Sequence, residues 1–207
     1  SGLSMALAEG VALGNYAFRK YKTDEKGAPS LEKLFLVAKE VSTNQVDELE
    51  DLCEAVCTAR DLVNEPVSFL NAKQLAAEIR TLSRNAGFKL EVLGKDRIQA
   101  LGMGGLIAVN KGSVDEPTFS ILEWKPKSAV NKKPIVLVGK GVVYDTGGLS
   151  LKPTPNSMDS MKCDMAGSAA VACAITAVAR QELPVYVVGL IPATDNRPGG
   201  NAYAPGD

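Results

Sequence analysis

The residues best suited to chemistry lie in one segment, VGKGVVYDTGGLSLKPTPNSMDSMKCDMAGSAA, at positions 138–170. Two aspartates, Asp145 and Asp164, stand there in otherwise apolar and glycine-rich surroundings, together with Lys140 and Lys152. Carboxylates are ligands for divalent cations, and a lysine amine can coordinate a cation only when it is neutral. The segment is therefore a candidate metal site.

Each of these residues also has an ordinary structural interpretation. Asp164 precedes an alanine-rich helix, whose positive dipole end favours a carboxylate. Asp145 would be a turn residue after a buried strand, and most lysines are exposed. The metal site is favoured by the surrounding glycines, which let backbone approach a bound group closely. These glycines are Gly139, Gly141, Gly147 and Gly148.

Lys140 directly follows an apolar run, so we expect its amine to be poorly solvated. Removing its proton at pH 7 costs about 4–5 kcal/mol against an ordinary pKa of about 10.4. A nearby divalent cation can offset that cost, because it inverts the local preference for the charged form. A phosphate-binding loop is excluded by spacing, since the third glycine of a G-x-G-x-x-G pattern would fall at Tyr144.

Composition removes several classes of enzyme and binding protein. The sequence has no histidine, which excludes Ser-His-Asp and Cys-His catalysis within this chain and histidine-ligated zinc. The net charge of -1 and the aromatic content of 5% argue against a nucleic-acid-binding surface.

The sequence also predicts a cytoplasmic protein that does not enter a membrane. No apolar run approaches the ~20 residues that a membrane-spanning helix needs, and residues 1–10 lack the basic start of a signal peptide. The cysteines do not have the spacing of a disulfide framework, which indicates a reducing compartment. They are Cys53, Cys57, Cys163 and Cys173.

Alternating helical and apolar patterns predict an α/β three-layer sandwich with a mainly parallel mixed sheet. Helices are predicted at 4–20, 46–64 (capped by Thr43 or Asn44), 71–87 (between Asn71 and Gly87), 95–101 and 165–181. Strands are predicted at 31–39, 88–94, 106–110, 117–124, 135–139 and 185–191.

The strand at 135–139 is continuously apolar, so we expect it to be buried on both faces. It should pair in parallel with 185–191 through a right-handed crossover by the 165–181 helix. Ligands in such sheets bind at the carboxyl ends of the strands, which places the site in the loop after Gly139.

The runs GKGVVYDTGGLSLKP and MDSMKCDMAGSAAV resemble the metal-binding core of the leucyl aminopeptidases, the two-metal peptidases of family M17. The resemblance covers most of 46–207 and includes ARDLVNEP, GLIAVNKGS and PGGNAYAPGD. It implies a zinc-peptidase-like catalytic domain that is incomplete at both ends. Residues 1–40 would be the end of an N-terminal α/β domain and its linker, and residues 41–207 the first part of the catalytic domain.

The resemblance also implies roles at matching positions. Lys140, Asp145 and Asp164 would be metal ligands. Lys152 would be the catalytic lysine, which stays protonated, binds the substrate, polarises the scissile carbonyl and stabilises the oxyanion. Met161 would line the pocket for the first side chain of the substrate, with core packing as the alternative.

The implied enzyme uses two divalent cations, zinc or manganese with magnesium as an alternative, and bicarbonate is a further candidate cofactor. It would release N-terminal leucine and other apolar residues from peptides, as a cytoplasmic homo-hexamer when full length. A DNA-binding accessory protein on the same scaffold is the alternative, against which the near-neutral charge argues.

The sequence departs from the family pattern in two ways. Tyr144, Thr146 and Cys163 stand where many members have Phe, Ser and a small residue, and Cys163 lies beside a candidate ligand, so it could respond to oxidation. The family segment N-T-D-A-E-G-R, which supplies an Asp and a Glu ligand and an Arg, does not occur in this sequence. We therefore expect this chain by itself to be inactive or nearly so.

Overall fold

A mixed sheet and the helices around it form the part of the chain that the computed structural model describes, residues 2–24 and 31–207. The helices there are α1 (Gly2–Gly14), α2 (Thr43–Asn64), α3 (Ala72–Ala86), α4 (Lys95–Ala100), α5 (Gly104–Asn110), a 3₁₀ helix (Met158–Cys163) and α6 (Ala166–Arg180). The strands are β1 (Lys89–Leu93), β2 (Thr118–Trp124), β3 (Ile135–Val138), β4 (Gly141–Asp145) and β5 (Val187–Asn196).

The long strand β5 organises the sheet, whose order is β1-β2-β5-β3. β2 runs antiparallel to both β1 and β5. β3 and β4 both pair in parallel with β5, one after the other along its length, so that β3 lies opposite 187–190 and β4 opposite 193–196. The predicted α/β fold with a mixed sheet is confirmed, as is the parallel pairing of the 135–139 strand with the 185–191 strand.

Helix α6 forms the centre of the core. Ala169, Ala172 and Ile175 on this helix have no exposed surface, and α6 contacts β2, β3, β4 and β5. The helical run Met158–Arg180 is long and apolar enough to cross a membrane by length and composition alone. The burial of α6 against the sheet accounts for that apolar composition, because a core helix of a globular domain has the same pattern.

Helix termini follow from local side chains. The prediction for α3 is confirmed: the Asn71 side chain accepts a hydrogen bond from the Gln74 backbone N–H, and Gly87 ends the helix at φ 83°. The predicted cap of α2 is wrong, because Ser42 rather than Thr43 or Asn44 occupies the position. Ser42 and Gln45 exchange side-chain and backbone hydrogen bonds, and this reciprocal capping box fixes where the helix starts.

Several element predictions need correction. Residues 106–110 form part of α5 and not a strand, since so short an apolar run does not separate helix from strand by periodicity. Residues 31–39 make no strand pairing within the described part of the chain. The predicted 4–20 helix ends at Gly14. Residues 141–145, to which the sequence analysis assigns no element, form the strand β4.

The expectation that the 135–139 strand is buried on both faces is also wrong. Ile135, Val136 and Val138 are 52%, 49% and 69% exposed. Among the described strands, β3 pairs with β5 alone and forms an edge of the sheet, so neither of its faces is fully covered.

Candidate active site

The candidate residues lie where the parallel strands end. Asp145 is the last residue of β4, and Lys140 lies between β3 and β4. Asp164 follows the 3₁₀ helix, just before α6, and Lys152 lies in the loop between β4 and the 3₁₀ helix. Ligands of α/β sheets bind at this carboxyl edge, so the elements position all four side chains where the sequence analysis expected a site.

Lys140 and Asp164 form the first of two ion pairs. The Lys140 ammonium lies 2.8 Å from each carboxylate oxygen of Asp164. The first turn of α6 holds the pair together, because the Ser168 backbone N–H donates to the Lys140 carbonyl over 2.9 Å. The loop can approach the helix only because residue 139 is glycine: a Cβ there would lie 2.7 Å from the Gly167 carbonyl oxygen.

Lys152 and Asp145 form the second ion pair. The Lys152 ammonium lies 2.5 Å from Oδ2 of Asp145. The other oxygen, Oδ1, accepts hydrogen bonds from the Gly147 backbone N–H at 2.9 Å and from the Asn196 side-chain amide at 2.7 Å. All the polar contacts of this carboxylate stabilise its ionised form.

The pKa of Asp145 reflects this competition. Burial raises the pKa, but the hydrogen bonds from Lys152, Gly147 and Asn196 and the charge of Lys152 together lower it by more, so that it lies below its ordinary value. Asp145 is therefore ionised at neutral pH, as a cation ligand has to be.

The loop between the two halves of the site depends on glycine geometry. Gly147 has a φ of 86°, and a side chain there would collide with the Ser150 carbonyl oxygen. The Lys152 backbone N–H closes the loop by donating to the Thr146 carbonyl over 2.9 Å. This tight loop folds Lys152 back onto the end of β4.

Met161 connects the two ion pairs. Its Sδ lies 3.1 Å from the Lys152 ammonium nitrogen, and its carbonyl accepts a hydrogen bond from the Asp164 backbone N–H. Its side chain is half-buried against the hydrophobic core. The structure thus brings Lys152 together with Asp145 and Met161, and Lys140 together with Asp164, while core packing accounts for part of the environment of Met161.

Exposure separates the two lysines. The side chain of Lys140 is 59% exposed and that of Lys152 is 28% exposed. The expectation of a poorly solvated Lys140 is therefore wrong, because the strand before it is an exposed edge of the described sheet.

The groups that would coordinate a metal here have the chemistry to bind a cation. Asp164 Oδ2 is buried, and its ion-pair partner is the Lys140 ammonium at 2.8 Å. A buried carboxylate oxygen needs a positive partner, and a divalent cation bound by the neutral Lys140 amine would replace the ammonium in that role. No cluster of three or more His, Cys, Asp or Glu side chains that could hold a metal occurs in residues 2–24 and 31–207. A cation here would rely on the two aspartates and a lysine amine.

The candidate site does not coincide with the cavity between α2 and α6. A cavity of about 450 Å³ lies between α2 and α6 and is lined mainly by apolar groups such as Leu52, Val63 and Cys173. It contains none of the charged residues of the candidate site. The convergence of charged groups at the strand ends, and not the volume of this groove, identifies the site.

Asn196 and the Gly147 N–H were not among the residues singled out from sequence. Asn196 is the partner of Asp145 in the β4–β5 register. Two strand assignments would have been needed to find it, GVVYD as a strand and the extension of the 185–191 strand to Asn196, since the carboxyl ends of parallel neighbours meet at one edge.

Comparison with known proteins places these features in a family. The model described as "Cytosol aminopeptidase family, catalytic domain" matches residues 57–207. A probable cytosol aminopeptidase of Chlorobium limicola is 42% identical over 221 residues, covering 100% of this chain and 43% of its own length. A probable cytosol aminopeptidase of Chlorobaculum tepidum is 45% identical, covering 99% of this chain and 43% of its own length.

Solved structures agree with these sequence relatives. The bottromycin maturation enzyme BotP in complex with Mn has a TM-score of 0.84 and 38% identity, over 99% of this chain and 42% of BotP. Cytosol aminopeptidase from Coxiella burnetii has a TM-score of 0.82 and 28% identity, over 98% of this chain and 42% of its own. The chain thus spans about two-fifths of the length of these relatives.

Proposed function

Since this chain belongs to the cytosol aminopeptidase family, M17, we propose that it carries part of the active site of a metal-dependent aminopeptidase. The substrate class is peptides whose N-terminal residue is leucine or another apolar residue. The single observation that supports this most directly is the placement of two Lys–Asp ion pairs, Lys140 with Asp164 and Lys152 with Asp145, at the carboxyl edge of the parallel strands.

Three side chains would hold divalent cations: Lys140, Asp145 and Asp164. We propose two ions per subunit, zinc or manganese with magnesium as an alternative, and the manganese in the BotP complex supports this choice. When bound, such ions supply Lewis acidity, which lowers the pKa of water and polarises a carbonyl group. The Lys140 amine has to release its proton to bind a cation, and its exposure gives that proton a direct route to solvent. Bicarbonate is a further proposed cofactor.

Lys152 would act on the scissile carbonyl. Its ammonium group is half-buried and, in this structure, is paired with Asp145. If Asp145 bound a divalent cation instead of Lys152, the ammonium would be free to donate a hydrogen bond to the carbonyl oxygen. A preorganised donor of this kind stabilises the negative charge that develops on that oxygen in the transition state.

Met161 would contact the first side chain of the substrate. Its sulfur lies 3.1 Å from the Lys152 ammonium nitrogen, so an apolar group beside Met161 would be close to the reacting carbonyl. An unbranched thioether adapts to apolar side chains of different shape, which suits a preference for leucine and similar residues.

The setting proposed for the enzyme is the cytoplasm, in agreement with the names of the relatives, and its assembly is a homo-hexamer. Residues 1–40 would belong to the end of an N-terminal domain and its linker, and they lie outside the 57–207 stretch that the family model matches. Residues 41–207 would form the first part of the catalytic domain.

A chimeric enzyme tests this proposal. This chain would replace the matching stretch of the Chlorobaculum tepidum relative, to which it is 45% identical. We expect the chimera to hydrolyse leucine p-nitroanilide, to lose activity with a chelator and to recover it with manganese. Asp145→Asn and Asp164→Asn should each remove most of that activity. A folded chimera that is inactive, or one whose activity survives both substitutions, would contradict the proposal.

A further inference from the structure

We propose that Asn196 is a positioning residue that orients the Asp145 carboxylate toward a divalent cation. The inference rests on the proposed function, since it assumes that Asp145 is a cation ligand. It concerns a residue that touches neither substrate nor cation in the proposed mechanism and acts only through Asp145.

The sheet places Asn196 opposite Asp145. The two residues are register partners at the ends of β5 and β4. Two further hydrogen bonds fix the backbone of Asn196. Its carbonyl accepts one from the Thr146 N–H at 3.0 Å and one from the Thr146 hydroxyl at 2.8 Å. The Asn196 side chain therefore starts from a fixed point beside the carboxylate.

The amide holds one particular oxygen. Asn196 Nδ2 lies 2.7 Å from Asp145 Oδ1, which also accepts the Gly147 N–H at 2.9 Å. Two donors on Oδ1 fix the plane of the carboxylate and leave Oδ2 directed to the side where the Lys152 ammonium lies.

The other end of the amide also has a fixed environment. A Cβ at position 148 would lie 3.1 Å from Asn196 Oδ1, so the amide packs directly against Gly148. Oδ1 of the amide thus faces the loop while Nδ2 faces Asp145. A leucine has the same branched arrangement of non-hydrogen atoms, although it is bulkier, but it would donate nothing to the carboxylate.

Partners that orient a metal ligand typically contribute about 10–100-fold to metal affinity. We therefore expect Asn196→Leu to raise the Kd of the 207-residue chain for Mn²⁺ by about 10-fold or more. The measurement is an electron paramagnetic resonance titration of free Mn²⁺, which needs no catalytic activity. Asn201→Leu, at an exposed asparagine in the same segment, is the matched control and should leave the Kd unchanged.

Thermal unfolding separates positioning from a purely structural role. Asn196→Leu should shift the melting temperature by less than about 2–4 °C, the change that 1 kcal/mol produces in a chain of this size. If Asn196→Leu does not fold, Asn196→Ser, which is smaller and does not reach the carboxylate, takes its place with the same expected rise in Kd. Asn196→Gln keeps the donor and should recover part of the affinity.

Asp145→Asn distinguishes the two ways in which the inference can fail. A wild-type Kd in the folded Asn196 variants, together with weak binding by Asp145→Asn, would overturn the positioning role and leave the proposed metal site intact. Equal binding by wild type and Asp145→Asn, or no binding by wild type, would overturn both.

Discussion

Lys152 is the residue whose role separates catalysis from structure. In the chimeric enzyme, Lys152→Ala should lower kcat by about 10²-fold or more, because it removes a donor to the developing oxyanion. KM should change less, since the loss falls mainly on the transition state. Lys133→Ala, in the exposed loop before β3, is the control and should keep full activity. A Lys152→Ala enzyme with wild-type kcat would contradict the catalytic role.

Cysteine reactivity should follow burial. Cys163 is exposed and Cys173 is buried, and burial raises the pKa of Cys173 to about 12. Because the thiolate is the reactive form, Cys173 should stay unmodified by iodoacetamide at pH 8 and react only as the pH rises toward its pKa. Burial also raises the pKa values of Cys53 and Cys57.

Peptide mass spectrometry of the alkylated chain would check this order. We expect a single rapidly labelled thiol, at Cys163, which also bears on the expectation that this residue responds to oxidation. Cys163→Ser should abolish the rapid labelling. Rapid labelling that persists in this variant, or equal rates at Cys163 and Cys173, would show that burial does not control reactivity here.

At the scale of elements, sequence reasoning succeeded where local signals are complete. Asn71 and Gly87 bracket α3 with side-chain and backbone signals that need no tertiary information. It failed for α5 and β4, which are only seven and five residues long. Short apolar runs take their structure from what they pack against, and β4 is defined by its pairing with β5.

The same dependence on tertiary contacts explains which residues of the candidate site the sequence could predict. Lys140, Asp145, Lys152, Met161 and Asp164 stood out by residue type and by resemblance to a motif. Asn196 did not, because its relation to Asp145 exists only in the register of two strands separated by α6. The exposure of Lys140 was missed because an apolar strand gives no sign of lying at a sheet edge.

The close contact between the β3–β4 junction and α6 predicts that a side chain at residue 139 would destabilise the fold. Gly139→Ala would place a Cβ 2.7 Å from the Gly167 carbonyl oxygen and 2.8 Å from the Ser168 Cα. The backbone would have to shift to relieve this overlap, so we expect the free energy of unfolding to fall by about 1–3 kcal/mol. Urea denaturation would measure it.

Gly10→Ala is the matched control, because a Cβ at this position in α1 meets no atom within 4 Å. It should raise stability by up to about 1 kcal/mol through helix propensity. Equal effects of the two substitutions would show that the approach of the junction to α6 is not tight.

At the scale of the whole molecule, the chain supplies only some of the groups that the family resemblance requires. The described residues contribute two aspartates and two lysines at the strand ends. The Asp, Glu and Arg of the N-T-D-A-E-G-R segment are not in this sequence. We therefore expect the 207-residue chain to show no measurable hydrolysis of leucine p-nitroanilide with excess zinc or manganese.

The chimera assayed beside it on the same substrate should be active. Turnover by the chain alone at a rate similar to that of the chimera would mean that the N-T-D-A-E-G-R segment is not needed for hydrolysis. The catalytic groups would then not be the ones assigned here.

The position of a bound cation tests the central claim most directly. Crystals of the chain grown with Mn²⁺ would be measured at the manganese absorption edge, where anomalous scattering locates the ion. We expect an ion within coordination distance of carboxylate oxygens of Asp145 and Asp164 and of the Lys140 nitrogen, with the Lys152 ammonium displaced from Asp145. Manganese bound only elsewhere, or absent while the two Lys–Asp ion pairs remain intact, would contradict the assignment of this site.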